Sequence, residues 1–201
     1  MRSSRDARNK RIKVIRSLIV RTLLPYYVEI GLDVVLIGLN PSLYSTYSTN
    51  VGSYFANPRN RLWPAVNASE LASKPLSPIF DYTLPSYGIR LTDLIECSTR
   101  NASELKINDY LHWIPVLYEK LIHYKSKIVC FQGLMAYSNY LRHSKNIRTR
   151  PSLKSQSCVI GKSEVFVVPN PTPENARFSM DELIKWYQEL KVTRDQLVNI
   201  Q

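Results

Sequence analysis

The sequence predicts a three-layer α/β/α sandwich around a mostly parallel, four-stranded sheet. Three observations carry this. Four short β-rich runs lie far apart along the chain, and three of them are continuously apolar, as strands buried on both faces are. Helical patterns fill the intervals, and strands alternating with helices feed a parallel sheet. The chain has 201 residues with 44 % hydrophobic and 21 % charged side chains, ordinary for one globular domain and unlike a disordered chain.

Each element has its own signal. Ile12, Ile15, Leu18, Ile19 and Leu23 recur at helical spacing among basic residues, so residues 1–23 read as a basic tail and amphipathic helix ended by Pro25. A single domain is expected over residues 24–201. Its strands are Val34-Val35-Leu36-Ile37, Gly88-Ile89-Arg90-Leu91, Lys127-Ile128-Val129-Cys130-Phe131 and Val165-Phe166-Val167-Val168. Asn108 is expected to cap a helix carrying Leu111, Ile114, Leu117, Leu121 and Ile122, and residues 134–141 form a shorter helix. Ser179 with Glu182 three residues on is a capping box that opens a helix through Leu183, Trp186, Leu190 and Leu197. Gly161-Lys162-Ser163 lacks the preceding glycine of a phosphate-binding loop and leads into a strand, so it reads as a hairpin turn.

Charge narrows the function. The net charge is +11, of which residues 1–32 hold +6 and residues 142–154 hold +5. Two basic segments on a neutral body suit a polyanionic partner. The second segment offers Arg142, Lys145, Arg148 and Arg150 as phosphate contacts. No apolar run reaches the roughly 18 residues that span a bilayer, and the chain opens with no secretory pattern. Cys97, Cys130 and Cys158 have no metal-site spacing, and the three histidines form no zinc pair, so reduced thiols and no metal or organic cofactor are expected.

Ligands of open α/β sheets sit beyond the carboxyl ends of the strands. Gly38-Leu39-Asn40-Pro41-Ser42, Thr92-Asp93, Gln132-Gly133 and Pro169-Asn170-Pro171-Thr172-Pro173 fall there. Asn40-Pro41 makes a rigid exit that holds an amide in the cleft. Between the first two, Gly52-Ser53-Tyr54-Phe55-Ala56-Asn57-Pro58-Arg59-Asn60-Arg61-Leu62-Trp63 sets aromatic faces beside amides and two arginines, a combination suited to base stacking and phosphate contact, with Trp63 anchored in the core.

In this order, Gly38-Leu39-Asn40-Pro41, the loop ending in Trp63, Tyr87-Gly88-Ile89-Arg90-Leu91-Thr92-Asp93 and Asn170-Pro171 resemble the family of thymine-DNA glycosylase and the mismatch-specific uracil-DNA glycosylases. The resemblance runs from about Leu24 to the C-terminus and leans toward the eukaryotic branch, which implies the nucleus. It implies a monofunctional, monomeric enzyme that flips a uracil or thymine, or a modified cytosine, out of its mispair with guanine. The enzyme would hydrolyse its N-glycosidic bond and hand the abasic site to downstream repair enzymes. Slow turnover and a preference for easily departing bases are expected, because an amide orients water but is no useful base.

By that resemblance Asn40 positions the water and Thr99 lies near it. Phe55 stacks on the flipped base, with Leu39, Pro41, Ser42, Tyr54, Asn60 and Asp93 around it. Asn170, Pro171, Thr172, Pro173, Glu174, Asn175 and Arg177 form the loop that enters the duplex. Three departures stand out: Ser42 where Gly is usual, Asp93 where eukaryotic relatives carry Asn, and Glu174 where a Leu or Arg fills the gap left by the base. A carboxylate accepts where an amide also donates, and an acid is repelled by phosphates, so Asn175 or Arg177 would take over the wedge. The same fold with lost chemistry, a nucleic-acid-binding module, is the alternative.

Overall fold

The computed structural model describes residues 31–47 and 53–199; the expected helix over residues 12–23 lies outside them. Strands β1 (Val34–Gly38), β2 (Ile89–Asp93), β3 (Ile128–Gln132), β4 (Lys154–Ile160) and β5 (Ser163–Val168) form one sheet in the order β2-β1-β3-β5-β4. The first three pairings are parallel and β4 runs antiparallel to β5. The sheet is therefore five-stranded rather than four-stranded. The extra strand, Lys-Ser-Gln-Ser-Cys-Val-Ile, escaped the apolar-run criterion because it is a mostly exposed edge.

Alternation along the strands divides the core. Val34, Leu36, Ile89, Leu91, Ile128, Cys130, Phe166 and Val168 face one helical layer, built from α2 (Leu62–Ala68) and α5 (Met180–Asn199). Val35, Ile37, Val129, Phe131, Val165 and Val167 face the other, built from α3 (Ile107–Tyr124) and α4 (Leu134–Lys145). A strand buried on both faces must be apolar at every position, which is why these runs were legible.

Helix starts follow local chemistry. The α5 capping box forms: Ser179 N–H donates to Glu182 Oε2 at 2.7 Å, and Glu182 N–H donates to Ser179 Oγ at 3.2 Å. Helix α3 begins earlier than Asn108, with Lys106 at its N-cap, because Asp109 Oδ2 accepts the Lys106 N–H at 2.8 Å. Helix α4 runs four residues beyond position 141, to Lys145. The short helix α1 (Leu43–Tyr47), α2 and a 3-10 segment, Pro78–Tyr87, are elements the apolar periodicity did not signal.

Candidate active site

The cleft lies where β1, β2 and β3 end. After Gly38 the chain is pinned to the segment following β2: Leu94 N–H donates to Gly38 O at 2.9 Å, Ile95 N–H to Leu39 O at 3.0 Å, and Thr99 N–H to Pro41 O at 3.2 Å. Ser42 and Thr99 then pair as an isolated parallel bridge. This framework holds the half-buried Asn40 carboxamide. Its Nδ2 donates to Thr99 Oγ1 at 2.7 Å, Pro41 O at 3.2 Å and Cys97 O at 3.3 Å. Two carbonyls beside the nitrogen fix which way the amide faces. Oδ1 is left without a protein donor among the described residues, so it is the atom that can accept from a water. Thr99 Oγ1 donates onward to Asn101 O at 3.0 Å, so its proton is committed and Thr99 acts on Asn40 as a positioning residue.

Ser42 has a different use from the one its Cβ suggested. Its Oγ caps α1 by accepting Ser45 N–H at 3.1 Å and donates to Ser45 Oγ at 3.1 Å. Ser45 in turn accepts Ala56 N–H on Oγ at 3.2 Å and Ser53 N–H on its carbonyl at 3.0 Å. The motif after β1 thus fastens the aromatic loop. That loop is held on its other side by Asp81, which accepts Tyr54 N–H at 2.9 Å, and by buried Trp63, whose Nε1 donates to Tyr54 O at 3.1 Å. Phe55 sits between these anchors at φ 53, a region costly for an aromatic residue.

Gly38, Phe55 and Asp93 converge. A methyl group on Gly38 would come within 2.2 Å of Asp93 Oδ1 and 2.9 Å of Phe55 Cζ, so only glycine admits the carboxyl and the ring tip together. Asp93 is 4 % exposed, and burial, followed by the charge of Glu96, pushes its carboxyl up to about 8. Glu96 itself is ion-paired with Lys120 of α3. The Tyr54 phenol is pushed up by burial first, then by Asp93 and Glu96, while Arg90 opposes the shift. A carboxyl shifted this way keeps its proton to higher pH than a surface acid, and in that form it donates as well as accepts. This removes most of the difference from an amide that the sequence suggested.

Three expected pocket or interface residues are employed elsewhere. Leu39 packs into the core beneath α3 and α4, because alternation turns it to the opposite face from Gly38. Asn60 Oδ1 accepts Leu62 N–H at 2.9 Å and so starts α2, leaving only its NH2 group for a ligand. Arg61 touches no exposed surface partner: its Nη1 donates to Phe178 O at 2.6 Å, and its Nη2 to Thr172 O at 3.1 Å and Asn175 O at 2.8 Å. Arg61 N–H also donates to Pro171 O at 3.0 Å. One guanidinium thereby ties the aromatic loop to the loop after β5, while Arg59 stays exposed.

The loop after β5 is shaped from within. Asn170 Oδ1 accepts Thr172 N–H at 3.0 Å and its carbonyl accepts Asn175 Nδ2 at 2.9 Å. Gly133, at φ +114, lets Asn170 approach, since a Cβ there would lie 2.9 Å from Asn170 Cβ. Pro171 is buried and Pro173 half-buried. Glu174 is exposed but turned back onto the Thr172 hydroxyl, and that bond, helped by Arg59, keeps its carboxyl below the usual range. Arg177 lies 5.6 Å over the Phe178 ring, and no ion pair joins it to Glu174.

The basic segment does not stay together. Helix α4 leaves the carboxyl end of β3 and runs back about 18 Å over its twelve residues. Lys145 Nζ donates to Val159 O at 3.4 Å, and Val159 pairs with Glu164, which pairs with Ile128 at the start of β3. Lys145 and the neighbouring Arg142 thus lie at the opposite end of the sheet from Asn40, a placement the linear charge count could not reveal. Arg148 and Arg150 are exposed on the connection that climbs back to Lys154, which pairs with Val167 near the cleft end. A groove of about 370 Å³ between α3 and α4, lined by Ile114, Tyr118, Tyr140 and His143, is likewise on the helical layer and not in the cleft.

Among the described residues no group of three or more His, Cys, Asp or Glu could hold a metal ion, and no helix is long and apolar enough to cross a membrane. A family model, the uracil DNA glycosylase superfamily, matches residues 25–191, a span that contains every cleft residue described above.

Proposed function

Because the chain belongs to the uracil DNA glycosylase superfamily, whose members hydrolyse N-glycosidic bonds in DNA, we propose that it removes uracil or thymine mispaired with guanine. The observation that carries this is the Asn40 carboxamide, with its nitrogen bound to Thr99 and two carbonyls and its oxygen open.

A mispaired nucleotide costs less to extrude than a paired one, which favours mismatches as substrates. With the base in the cleft, Asn40 Oδ1 accepts a hydrogen bond from a water and aims its lone pair at C1′ of the sugar. The C1′–N bond breaks first, and its electron pair leaves with the base as an anion. The water oxygen bonds to the sugar cation and gives up a proton, and the base regains one. An amide supplies direction rather than proton abstraction, so rate depends on stabilising the departing charge. A neutral Asp93 suits that task, whereas a carboxylate would oppose it. Repair in the nucleus, action as a monomer and a handover of the abasic product complete the reading.

The test uses duplexes carrying G·U and G·T, incubated with protein and then treated with alkali. Cleavage at the mispair by the wild type and not by Asn40→Ala supports the enzyme. Binding without cleavage by the wild type supports the nucleic-acid-binding module instead.

A further inference from the structure

The strand register sets three residues in one row at the lip of the cleft. Gly38 pairs with Asp93 on one side, and Ile37 with Phe131 on the other, so Gln132 is the next residue level with Gly38. Alternation puts all three on the face shared by Val34, Leu36, Ile89, Leu91, Ile128 and Cys130. Glycine at the centre leaves the space above it to the Asp93 carboxyl and the tip of the Phe55 ring.

Both flanking groups are buried and unengaged. Gln132 is 1 % exposed, and among the described residues neither its Oε1 nor its Nε2 has a hydrogen-bond partner. Asp93 has none among the described residues. A buried amide left unpaired is costly, and folds normally remove such groups or satisfy them. Neither residue is needed to complete the sheet, whose bonds are made by backbone.

We propose that Asp93 and Gln132, one strand to either side of Gly38, together read the polar edge of the extruded base. The inference rests on the glycosylase reading above, in which Asp93 already stands near the base, and adds one residue to it, Gln132. A 2,4-dioxopyrimidine presents acceptor, donor, acceptor along one edge. The carboxyl of Asp93 in its acid form gives a donor and an acceptor side by side, and the Gln132 carboxamide gives the second donor. Burial and then the charge of Glu96 set the acid's charge state; Lys120, paired to Glu96 from α3, Tyr54 on the aromatic loop and Arg90 on β2 are the other titratable groups around it.

The experiment is single-turnover excision of uracil opposite guanine by wild type, Gln132→Leu and Asp93→Asn between pH 6 and 9, with thermal melting of each protein. Gln132→Leu is expected to lose about tenfold in excision, one hydrogen bond's worth, while its Tm stays level or rises because an unpaired amide has gone. Asp93→Asn keeps a fixed donor and acceptor, so its rate stays flat above pH 8 where the wild-type rate falls. Unchanged excision by Gln132→Leu, or a Tm that falls with its activity, overturns the inference. So do parallel pH profiles, or a wild-type rate that climbs through pH 8, which would make Asp93 a base. No excision by the wild type at any pH overturns the glycosylase reading as well, and is told apart by that result alone.

Discussion

The two halves of the cleft treat their polar atoms in opposite ways. On the Asn40 side almost everything is committed: the amide nitrogen has three acceptors, the Thr99 hydroxyl has a donor and an acceptor, and backbone bonds zip residues 38–43 to 94–99. On the Asp93–Gln132 side the polar groups are more deeply buried, and among the described residues nothing bonds to the Gln132 carboxamide. A committed network fixes one atom, Asn40 Oδ1, in one direction. An open row is incomplete until something enters it. Substitutions on the first side should therefore damage chemistry through geometry, and those on the second through recognition.

The sharpest break is Asn40→Ala. It removes the carboxamide oxygen to which the proposed function gives the water and leaves the framework, since the zipping bonds are main-chain. Excision should fall by at least about 10²-fold, with duplex affinity in a gel-shift assay within a factor of a few. Equal loss of affinity and rate would mean that Asn40 binds rather than positions. Thr99→Val probes the same side more gently. With its best acceptor gone the amide turns, and kcat should drop about tenfold while KM holds; a change confined to KM would remove Thr99 from the positioning role.

Arg61→Ala sharpens the comparison from outside both halves, by untying the aromatic loop from the loop after β5. Its three carbonyl acceptors span residues 172–178, and losing a half-buried, charged donor costs about 2–3 kcal/mol. Urea melts should show that loss, and duplex affinity should fall without a change in its salt dependence, because Arg61 faces carbonyls rather than phosphates. A reduced salt slope would restore the phosphate contact that the sequence suggested.

The open half also predicts a stability signature. Burial raises the Asp93 carboxyl from its ordinary value to about 8, so the fold favours its protonated form. That stability is complete below the unfolded carboxyl's range and is lost as pH rises toward 8. Wild-type Tm should decline between pH 5 and 8.5 by several degrees more than that of Asp93→Asn, at about 2–4 °C per kcal/mol. Parallel Tm curves would show that Asp93 is ionised in the fold.

What the sequence revealed follows the same division. The buried strands announced themselves because both faces are apolar, and the Ser179–Glu182 cap because its spacing is local. Asn40 and Phe55 were legible because they follow a strand and sit in a patterned loop. Gln132 was placed at the cleft end of a strand but given no role, because only the register beside Gly38 suggests one. Arg61 looked like a surface cation because its acceptors are more than a hundred residues away. The edge strand β4 was missed because an exposed strand need not be apolar.

The smallest effect tests the cationic surface. The linear sequence joined Arg142, Lys145, Arg148 and Arg150 into one contact, yet the fold sends the first two to the amino end of the strands and returns the last two toward the cleft. Each neutralised phosphate contact lowers the log–log salt slope by about 0.9. The double variant Arg148→Ala, Arg150→Ala should therefore flatten the slope by up to about 1.8. Arg142→Ala, Lys145→Ala should leave it within error and change duplex affinity less than twofold, measured by fluorescence anisotropy across 50–200 mM salt. If the second pair flattens the slope as much as the first, the duplex wraps past α4 to the far end of the sheet, and the cleft is only one edge of a larger footprint.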